Sequence, residues 1–333
     1  MLEQNLKEKE EKTKDLEECA ILVKSLYKTY DSFSALKNVS FSVKKGEIVG
    51  FLGPNGAGKT TTMNILTGCI SYNSGVVKIF GIDVFDEPLK AKKNIGYLPE
   101  NPPLYNSMTV YEYLKFVCEM KKVLNFKEEI ERVSKLCGIL DKKNKLISSL
   151  SKGYKQRVGI AQALIGSPKV LILDEPTSGL DPAQIVQVRN LIKSLAKQHT
   201  IILSTHILSE IQAVCSRIMV ISAGEIVADD SEENLLKQKE DSYFLRVFCS
   251  SEEKVKDSLK ELSSFLVIEN LKVVSLKIIE FKAKTLKEIE DVELLISKTL
   301  MQFNIPILKF TKSFLTLEQV FIKKKKKKGE GVL

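Results

Sequence analysis

A run of glycines that ends in a lysine and a hydroxyl residue is the strongest chemical signal in the sequence. The run comprises Gly53, Pro54, Asn55, Gly56, Ala57, Gly58, Lys59, Thr60 and the following Thr61. It follows an apolar segment and opens a helical pattern, so its backbone N–H groups should converge where anions bind. The spacing predicts a P-loop, the Walker A motif, that binds the phosphates of a nucleotide. Lys59 would contact the β and γ phosphates and Thr60 would bind Mg²⁺; the alternative is a glycine-rich turn with a chance lysine.

Two adjacent carboxylates, Asp174 and Glu175, end the apolar run Val170–Leu173. In open α/β sheets, ligands bind at the carboxyl ends of the strands. The sequence therefore predicts that Asp174 holds the Mg²⁺ shell, as in a Walker B motif, and that Glu175 orients and deprotonates the attacking water. The alternative is a strand that ends in solvated acids.

The elements that must position these residues are short buried strands separated by amphipathic helices. The compact apolar runs Ile48–Leu52, Val170–Leu173 and Ile201–Leu203 are typical of parallel strands buried on both faces. Apolar residues recur at spacings of three and four between Gln184 and Gln198, which predicts a helix. The alternating segments from Ile21 to Val43 predict an antiparallel edge. Together these patterns predict an α/β fold.

The length of 333 residues predicts two domains, because a domain usually contains about 100 to 200 residues. The predicted divisions are a charged leader at 1–19, a nucleotide-binding domain at 20–235 with a helical subdomain at about 101–160, a small α+β domain at 236–322, and a lysine-rich tail at 323–333. In the α+β domain we predict strands at Tyr243–Cys249, Val273–Ala283 and Ile305–Phe310 and helices at Glu252–Ser263 and Leu286–Phe303.

The composition excludes several classes of protein. Hydrophobic residues make up 44% and charged residues 28%, as in globular domains and unlike disordered or fibrous chains. No run approaches the about 18 apolar residues of a membrane-spanning helix, and the start lacks the apolar segment of a signal peptide, so we expect a cytoplasmic protein. The six scattered cysteines have no metal-binding spacing and are expected to be reduced thiols.

The net charge of +9 is concentrated at one end, because Lys323–Lys328 supply six of the positive charges. This tail is expected either to be solvated or to adhere to acidic lipid at a membrane surface.

A motif just upstream of the acidic strand resembles the signature of ATP-binding-cassette (ABC) proteins. The segment Leu150–Arg157 is similar to the family sequence LSGGQ followed by a Gln-Arg pair. The resemblance implies that Ser151, Lys152, Gly153 and Tyr154 contact the ATP of a partner subunit.

Other motifs carry the same resemblance in the same order along the chain. Tyr30 resembles the aromatic residue that stacks on adenine, and His206 resembles the switch histidine that contacts the γ phosphate. The residues that resemble the D-loop are Ser178, Gly179, Leu180 and Asp181. The resemblance covers about residues 20–235.

This resemblance implies a P-loop NTPase of ABC type, with a mixed sheet core, an antiparallel edge and a helical subdomain, followed here by a small α+β domain. It implies hydrolysis of ATP with Mg²⁺ and catalytic roles for Lys59, Glu175 and His206. It also implies a dimer of the chain with itself or with a sister ATPase. The further partner implied is a separate integral-membrane permease, which would place the ATPase on the inner face of the cell membrane and would itself contact the cargo.

The sequence departs from the family pattern at the Q-loop and at the signature. Glu100 stands where a glutamine is usual; a carboxylate can bind Mg²⁺, but it cannot donate a hydrogen bond as an amide does. Lys152 replaces a glycine and Tyr154 replaces a glutamine, whereas Ser151 and Gly153 retain the hydroxyl and the N–H that would meet a phosphate.

These departures, with the pair Pro102-Pro103, resemble the ATPases of ABC-2-type permeases, including gliding-motility-associated ATPases. Export through such a permease is the expected function. The alternative is a soluble ABC ATPase that acts on ribosomes or DNA. Such proteins usually carry two cassettes, coiled-coil insertions or zinc hooks, and because the sequence contains none of these, no nucleic-acid partner is expected.

His199, at a predicted helix-to-strand junction, is expected to be a solvated structural residue rather than a site.

Overall fold

The chain divides into two compact units, Met1–Glu232 and Glu233–Leu333. This computed structural model describes residues 19–231, 234, 242–249, 251–260, 262–275, 277–285 and 291–313. The predicted leader, apart from Cys19, and the lysine-rich tail with Lys323–Lys328 lie outside the described residues. Among the helices that the structure describes, none is long and apolar enough to cross a membrane.

The described part of the N-terminal unit, residues 19–231, forms two sheets. Its strands are β1 (Cys19–Tyr30), β2 (Phe33–Lys44), β3 (Ile48–Leu52), β4 (Ser74–Ile79), β5 (Ile82–Asp83), β6 (Ile95–Leu98), β7 (Val170–Asp174), β8 (Thr200–Thr205), β9 (Arg217–Ser222) and β10 (Glu225–Ser231). One sheet has the order β2-β1-β4-β5 and is antiparallel; the other has the order β10-β9-β3-β8-β7-β6 and is parallel except for β10. The predicted α/β architecture, with antiparallel strands before the parallel core, is confirmed.

Helices of this unit connect the parallel strands. They are α1 (Lys59–Leu66), α2 (Pro88–Lys93), α3 (Val110–Met120), α4 (Phe126–Leu136), α5 (Lys152–Leu164), α6 (Pro182–Leu195) and α7 (Leu208–Gln212), with short 3₁₀ turns at Leu140–Lys142 and Ile147–Ser149. A capping box begins α3: the Thr109 hydroxyl accepts from the Glu112 N–H, and the Glu112 carboxylate accepts from the Thr109 N–H. The segment between β6 and β7 is therefore helical, as its pattern indicates.

Three adjacent parallel strands end at the same edge of the large sheet. Leu52 of β3 pairs with Thr205 of β8, and Asp174 of β7 pairs with Ser204 of β8. The P-loop, the acidic pair and the segment containing His206 follow these three ends, so residues far apart in the sequence meet there.

The residues described in the C-terminal unit form a four-stranded antiparallel sheet and two helices. Its elements are β11 (Ser242–Phe248), α8 (Glu252–Lys260), β12 (Leu266–Ser275), β13 (Ile278–Thr285), α9 (Val292–Gln302) and β14 (Ile307–Ser313), and the sheet order is β12-β13-β11-β14. Alternate residues of β11 and β13, such as Leu245 and Phe281, pack with Ile296 of α9 in a separate apolar core. A small α+β domain follows the nucleotide-binding fold, as predicted.

The prediction of a single strand over Val273–Ala283 is wrong. The chain reverses between Ser275 and Ile278, and the two arms pair as the hairpin β12–β13. Because the turn contains neither glycine nor proline, the alternation of polar and apolar residues continues across it and hides the reversal.

The prediction that His199 is solvated is also wrong. His199 is only 4% exposed, and its Nδ1 lies 2.6 Å from the Pro168 carbonyl oxygen. Burial lowers the pKa of the His199 imidazole, while the bond to Pro168 acts in the opposite direction. Its role is structural, because it joins the loops before β7 and β8.

Burial of His199 should make stability depend on pH. Because its folded-state pKa lies below the ordinary value of about 6.5, its contribution is complete above that pH and is lost as the pH falls through the interval below it. We expect the melting temperature of the wild type to fall more between pH 7.5 and pH 5.5 than that of His199→Asn, which retains a donor for the Pro168 carbonyl. Equal falls in calorimetric melting temperature would contradict this prediction.

Candidate functional site

Glycines shape the loop after β3. Gly56 and Gly58 have φ values of 76° and 107°, which residues with a Cβ adopt only under strain. A Cβ on Gly58 would lie 2.7 Å from Leu36 Cδ2 and 2.9 Å from the Ala35 carbonyl oxygen, and one on Gly53 would lie 2.4 Å from the Ile221 carbonyl oxygen. The loop therefore needs glycine both for its backbone conformation and for its close approach to neighbouring backbone.

Lys59, the first residue of α1, turns back over this loop. Its side chain is buried, and its Nζ donates to the carbonyl oxygens of Gly53 at 2.8 Å and Pro54 at 3.2 Å. The same Nζ lies 3.5 Å from Oε1 of Glu175. A positive charge is thus held at the mouth of the loop, facing the acidic end of β7.

Glu175 follows β7 with a left-handed backbone, φ 47°. A non-glycine residue in this region costs about 1 to 3 kcal/mol and is common at functional sites. Its N–H donates to the Ser204 carbonyl at 2.9 Å, which fixes it to β8. Its carboxylate lies between Lys59 and His206, whose Nδ1 is 3.0 Å from both oxygens.

Asp174 is fully buried, and neither of its carboxylate oxygens has a hydrogen-bond partner among the described residues. Burial raises the pKa of its carboxyl. The hydroxyls of Ser204 and Thr60, which are nearby but outside hydrogen-bond geometry, lower this pKa, and the carboxylates of Glu175 and Glu100 raise it. A buried carboxylate that lacks partners fits a cation.

Mg²⁺ usually binds through one or two carboxylates together with substrate phosphates, rather than within a cage of protein side chains. The described residues contain no group of three or more His, Cys, Asp or Glu side chains able to hold a metal without other ligands. Asp174 and Thr60 fit such a shared site, with Glu100 on the wall of the same cavity.

A cavity of about 500 Å³ lies over the P-loop, within the size range of small-molecule sites. It is lined by Tyr30, Phe33, Ala35, Asn55, Gly56, Gly58, Lys59, Thr60, Thr61, Glu100, Glu175, Ser178 and His206. Of the predicted site residues, the cavity thus brings together six from the P-loop segment, one from the acidic pair (Glu175) and one from the D-loop (Ser178) with Tyr30, Glu100 and His206. Phe33 and Ala35 were missed; the alternation of β2, which sends them to the same side two residues apart, was the available signal.

Several predicted residues do not line the cavity. Gly53, Pro54 and Ala57 of the loop and Asp174 of β7 are not among its lining residues. The remaining residues outside the cavity lining are Ser151, Lys152, Gly153, Tyr154, Gly179, Leu180 and Asp181. The signature and most of the D-loop are thus separate from the nucleotide-sized cavity of their own chain.

The signature begins α5 and packs against the D-loop. The Ser151 hydroxyl accepts from the Tyr154 N–H at 3.5 Å, which caps the helix. A Cβ on Gly179 would lie 2.1 Å from Lys152 Nζ, so this lysine occupies the space that glycine leaves open. Asp181 caps α6 by accepting from the Gln184 N–H at 2.9 Å. The unusual lysine of the signature is therefore in contact with the D-loop of the same chain.

The requirement for glycine at position 58 can be tested against a glycine elsewhere. Gly58→Ala combines a strained φ with close contacts to Leu36 and Ala35, and we expect loss of ATP binding. Gly46→Ala is the matched control, because Gly46 has φ 75° but no atom within 4 Å of its Cβ position. The control should lose about 1 to 2 kcal/mol of stability and keep its ATP affinity. Equal ATP affinities of the two variants in equilibrium binding would contradict the account.

Comparison with known proteins agrees with this geometry. Residues 36–178 match the family model of the ABC transporter. An uncharacterized ABC transporter ATP-binding protein of Bacillus subtilis, YcbN, is 34% identical over 300 residues, which cover 90% of this chain and 94% of that protein. The bacitracin transport ATP-binding protein BcrA of Bacillus licheniformis is 40% identical over 215 residues, covering 64% of this chain and 70% of the relative.

Solved structures show the same fold. The ATP-binding subunit of an ABC transporter superimposes with a TM-score of 0.60 at 31% identity and covers 66% of this chain and 92% of its own. A dimeric ATP-binding cassette in a post-hydrolysis state, bound to ADP and Pi, gives a TM-score of 0.59 at 27% identity, covering 63% and 98% respectively. The P-loop, the acidic strand, the cavity and these relatives agree: the chain belongs to the family of ABC transporter ATP-binding proteins and is an ATPase.

Proposed function

We propose that the cavity over the P-loop is the hydrolytic site and that Glu175 is its general base. The observation that supports this most directly is the position of the Glu175 carboxylate between Lys59 and His206. Lys59 would exchange its bonds to the Gly53 and Pro54 carbonyls for the β and γ phosphates of ATP. His206, whose side chain is about half exposed, would contact the γ phosphate.

Mg²⁺, held by Asp174 and Thr60 and reached by Glu100, would neutralise the charge of the phosphates when ATP is bound. Glu175 accepts a proton from water as the water oxygen bonds to the γ phosphorus. The bond from that phosphorus to the bridging oxygen breaks, and ADP leaves with the electron pair. The Lys59 ammonium and the loop N–H groups balance the charge of the phosphates.

Adenine would stack on the aromatic side of the cavity. Tyr30 and Phe33 are 43% and 61% exposed there, so their rings remain available for contact. A planar base that covers these exposed rings would bury apolar surface of both the base and the rings.

We further propose that two copies of the chain, or this chain and a sister ATPase, close on two ATP molecules. Ser151 and Gly153 do not line the cavity of their own chain, which is consistent with a role toward the nucleotide of a partner. The solved relative bound to ADP and Pi is dimeric. In the closed dimer, Lys152 would remain against Gly179 and link the signature to the D-loop.

The proposed task of this ATPase is export through a separate ABC-2-type permease, from the inner face of the membrane. The relative BcrA is named for bacitracin transport.

An apolar groove of about 220 Å³ lies beside α1 and α2 and would suit a segment of the permease. It is lined in part by Tyr72, Phe85 and Pro88. Phe85 and Leu89 are 63% and 79% exposed, so both apolar side chains would be available to a partner at this groove. The lysine-rich tail would add attraction to acidic lipid.

Replacing the base should separate ATP binding from hydrolysis. Glu175→Gln can still orient water but cannot accept its proton, so we expect steady-state phosphate release to fall at least about a hundredfold while a dimer accumulates in ATP. Size-exclusion chromatography with light scattering, in ATP and in ADP, measures the dimer, and Ser151→Arg in the same background should abolish it. A variant that hydrolyses ATP at the wild-type rate would contradict the assignment of the base.

If the groove beside α1 and α2 binds a permease, polar substitutions next to it should weaken permease binding and leave ATP hydrolysis intact. Phe85→Ser with Leu89→Ser removes two exposed apolar side chains, neither of which lines the ATP cavity. Basal ATPase activity should stay within about twofold, while the amount of multi-span membrane protein retained from detergent-solubilised membranes should fall about tenfold, or about 1.4 kcal/mol. Met120→Ser, another exposed apolar position, is the control. Unchanged retention would exclude this groove as the dock.

A further inference from the structure

A second glutamate, Glu210, is buried close to the end of β8. It lies on α7 and is only 2% exposed. Its Oε2 accepts a hydrogen bond from the Thr205 hydroxyl at 2.7 Å, while its Oε1 has no hydrogen-bond partner among the residues that the structure describes. Burial of a carboxylate with so few partners destabilises a fold, and an apolar side chain of similar size would avoid this cost. Stability therefore does not explain why an acid occupies this position.

The partner of Glu210 is the residue just before His206. Thr205 is fully buried, and its hydroxyl both donates to Glu210 and accepts from the Ile207 N–H at 3.1 Å. Because a hydroxyl has only one hydrogen to donate, the bond to Glu210 fixes its rotation and directs a lone pair toward Ile207. The backbone oxygen of Thr205 also accepts from the Gly53 N–H at 3.4 Å, at the start of the P-loop.

His206 lies between Thr205, which carries this hydroxyl, and Ile207, whose N–H is bound to it. Its own side chain is 46% exposed, so packing restrains it little, yet its Nδ1 lies 3.0 Å from both oxygens of Glu175. The position of the imidazole is therefore set largely by the backbone on either side of it. That backbone is held by Thr205, and the Thr205 hydroxyl is held by Glu210.

We propose that Glu210 is a positioning residue for ATP hydrolysis, which acts through Thr205 to hold His206 against Glu175. The inference rests on the proposed role of His206. In this proposal Glu210 does not touch the nucleotide. The carboxylate acts by fixing a hydroxyl group, so an amide at the same position should serve nearly as well.

The test compares Glu210→Gln, Glu210→Leu, His206→Ala and the double variant His206→Ala with Glu210→Leu, in the purified full chain. We expect Glu210→Leu to lower kcat about tenfold, equivalent to about 1.4 kcal/mol, with KM for ATP within about twofold because the P-loop is untouched. Glu210→Gln should keep kcat within about threefold, since its amide oxygen still accepts from Thr205. Glu131→Gln, at an exposed glutamate of α4, is the control for loss of a carboxylate.

The double variant separates a positioning role from a general structural one. If Glu210 acts through His206, adding Glu210→Leu to His206→Ala should lower kcat no further, because the residue that it positions is gone. A further tenfold loss would overturn the proposal, as would a wild-type kcat for Glu210→Leu alone. If His206→Ala itself keeps the wild-type kcat, the proposed role of His206 fails and the positioning role fails with it. If His206→Ala loses activity and Glu210→Leu does not, only the positioning role fails.

A second pair of variants keeps the test independent of folding at position 210. Thr205→Val removes the hydroxyl with little change of volume, and Thr205→Ser retains it. Thr205→Val should reproduce the loss of kcat in Glu210→Leu, and Thr205→Ser should restore activity. Equal activities of the valine and serine variants would overturn the proposal.

Discussion

Two neighbouring carboxylates, Asp174 and Glu175, lie buried at the end of β7. Basic side chains lie close to Glu175, but in the part of the chain that the structure describes Asp174 has no such partner within hydrogen-bond distance. Burial of like charges is unfavourable unless each has a partner. Glu175 has Lys59 at 3.5 Å and His206 at 3.0 Å, whereas Asp174 has no hydrogen-bond partner among the described residues. The uncompensated carboxylate lies next to the P-loop, where a cation bound to phosphate would complete its surroundings. The arrangement of strands β3, β7 and β8 serves to bring these groups to one edge of the sheet.

The same arrangement explains how Lys59 is held beside the acidic end of β7. Lys59 is bound by two carbonyl oxygens of its own loop and faces Glu175, so its charge is satisfied within the chain. In the proposed mechanism, phosphate replaces these partners, and Glu175 is left facing water and His206. The buried bonds of Thr205 connect the histidine to the P-loop, because Thr205 contacts both Gly53 and the residue after His206. The groups that we propose to be catalytic thus share one hydrogen-bond network.

How much of this could be predicted from the sequence depended on whether the signal was local. The P-loop and the acidic strand are contiguous and adjoin apolar runs, so both the motifs and the parallel strands were predictable. Contacts between distant segments were not: nothing in the sequence indicates that Lys152 packs on Gly179, or that His199 is covered by the loop of Pro168. The β12–β13 hairpin was missed because its turn lacks glycine and proline. Phe33 was missed because its role depends on which face of β2 meets the P-loop.

In the proposed mechanism, Lys59 leaves the loop carbonyls to bind phosphate while Asp174 gains a metal ion. A crystal structure of the Glu175→Gln variant with ATP and Mg²⁺ tests this most directly. We expect Lys59 Nζ within about 3 Å of a β or γ phosphate oxygen, and Mg²⁺ bound by the Thr60 hydroxyl and close to the Asp174 carboxylate. A nucleotide bound in the cavity while Lys59 still donates to Gly53 and Pro54, with no metal ion near Asp174, would contradict it.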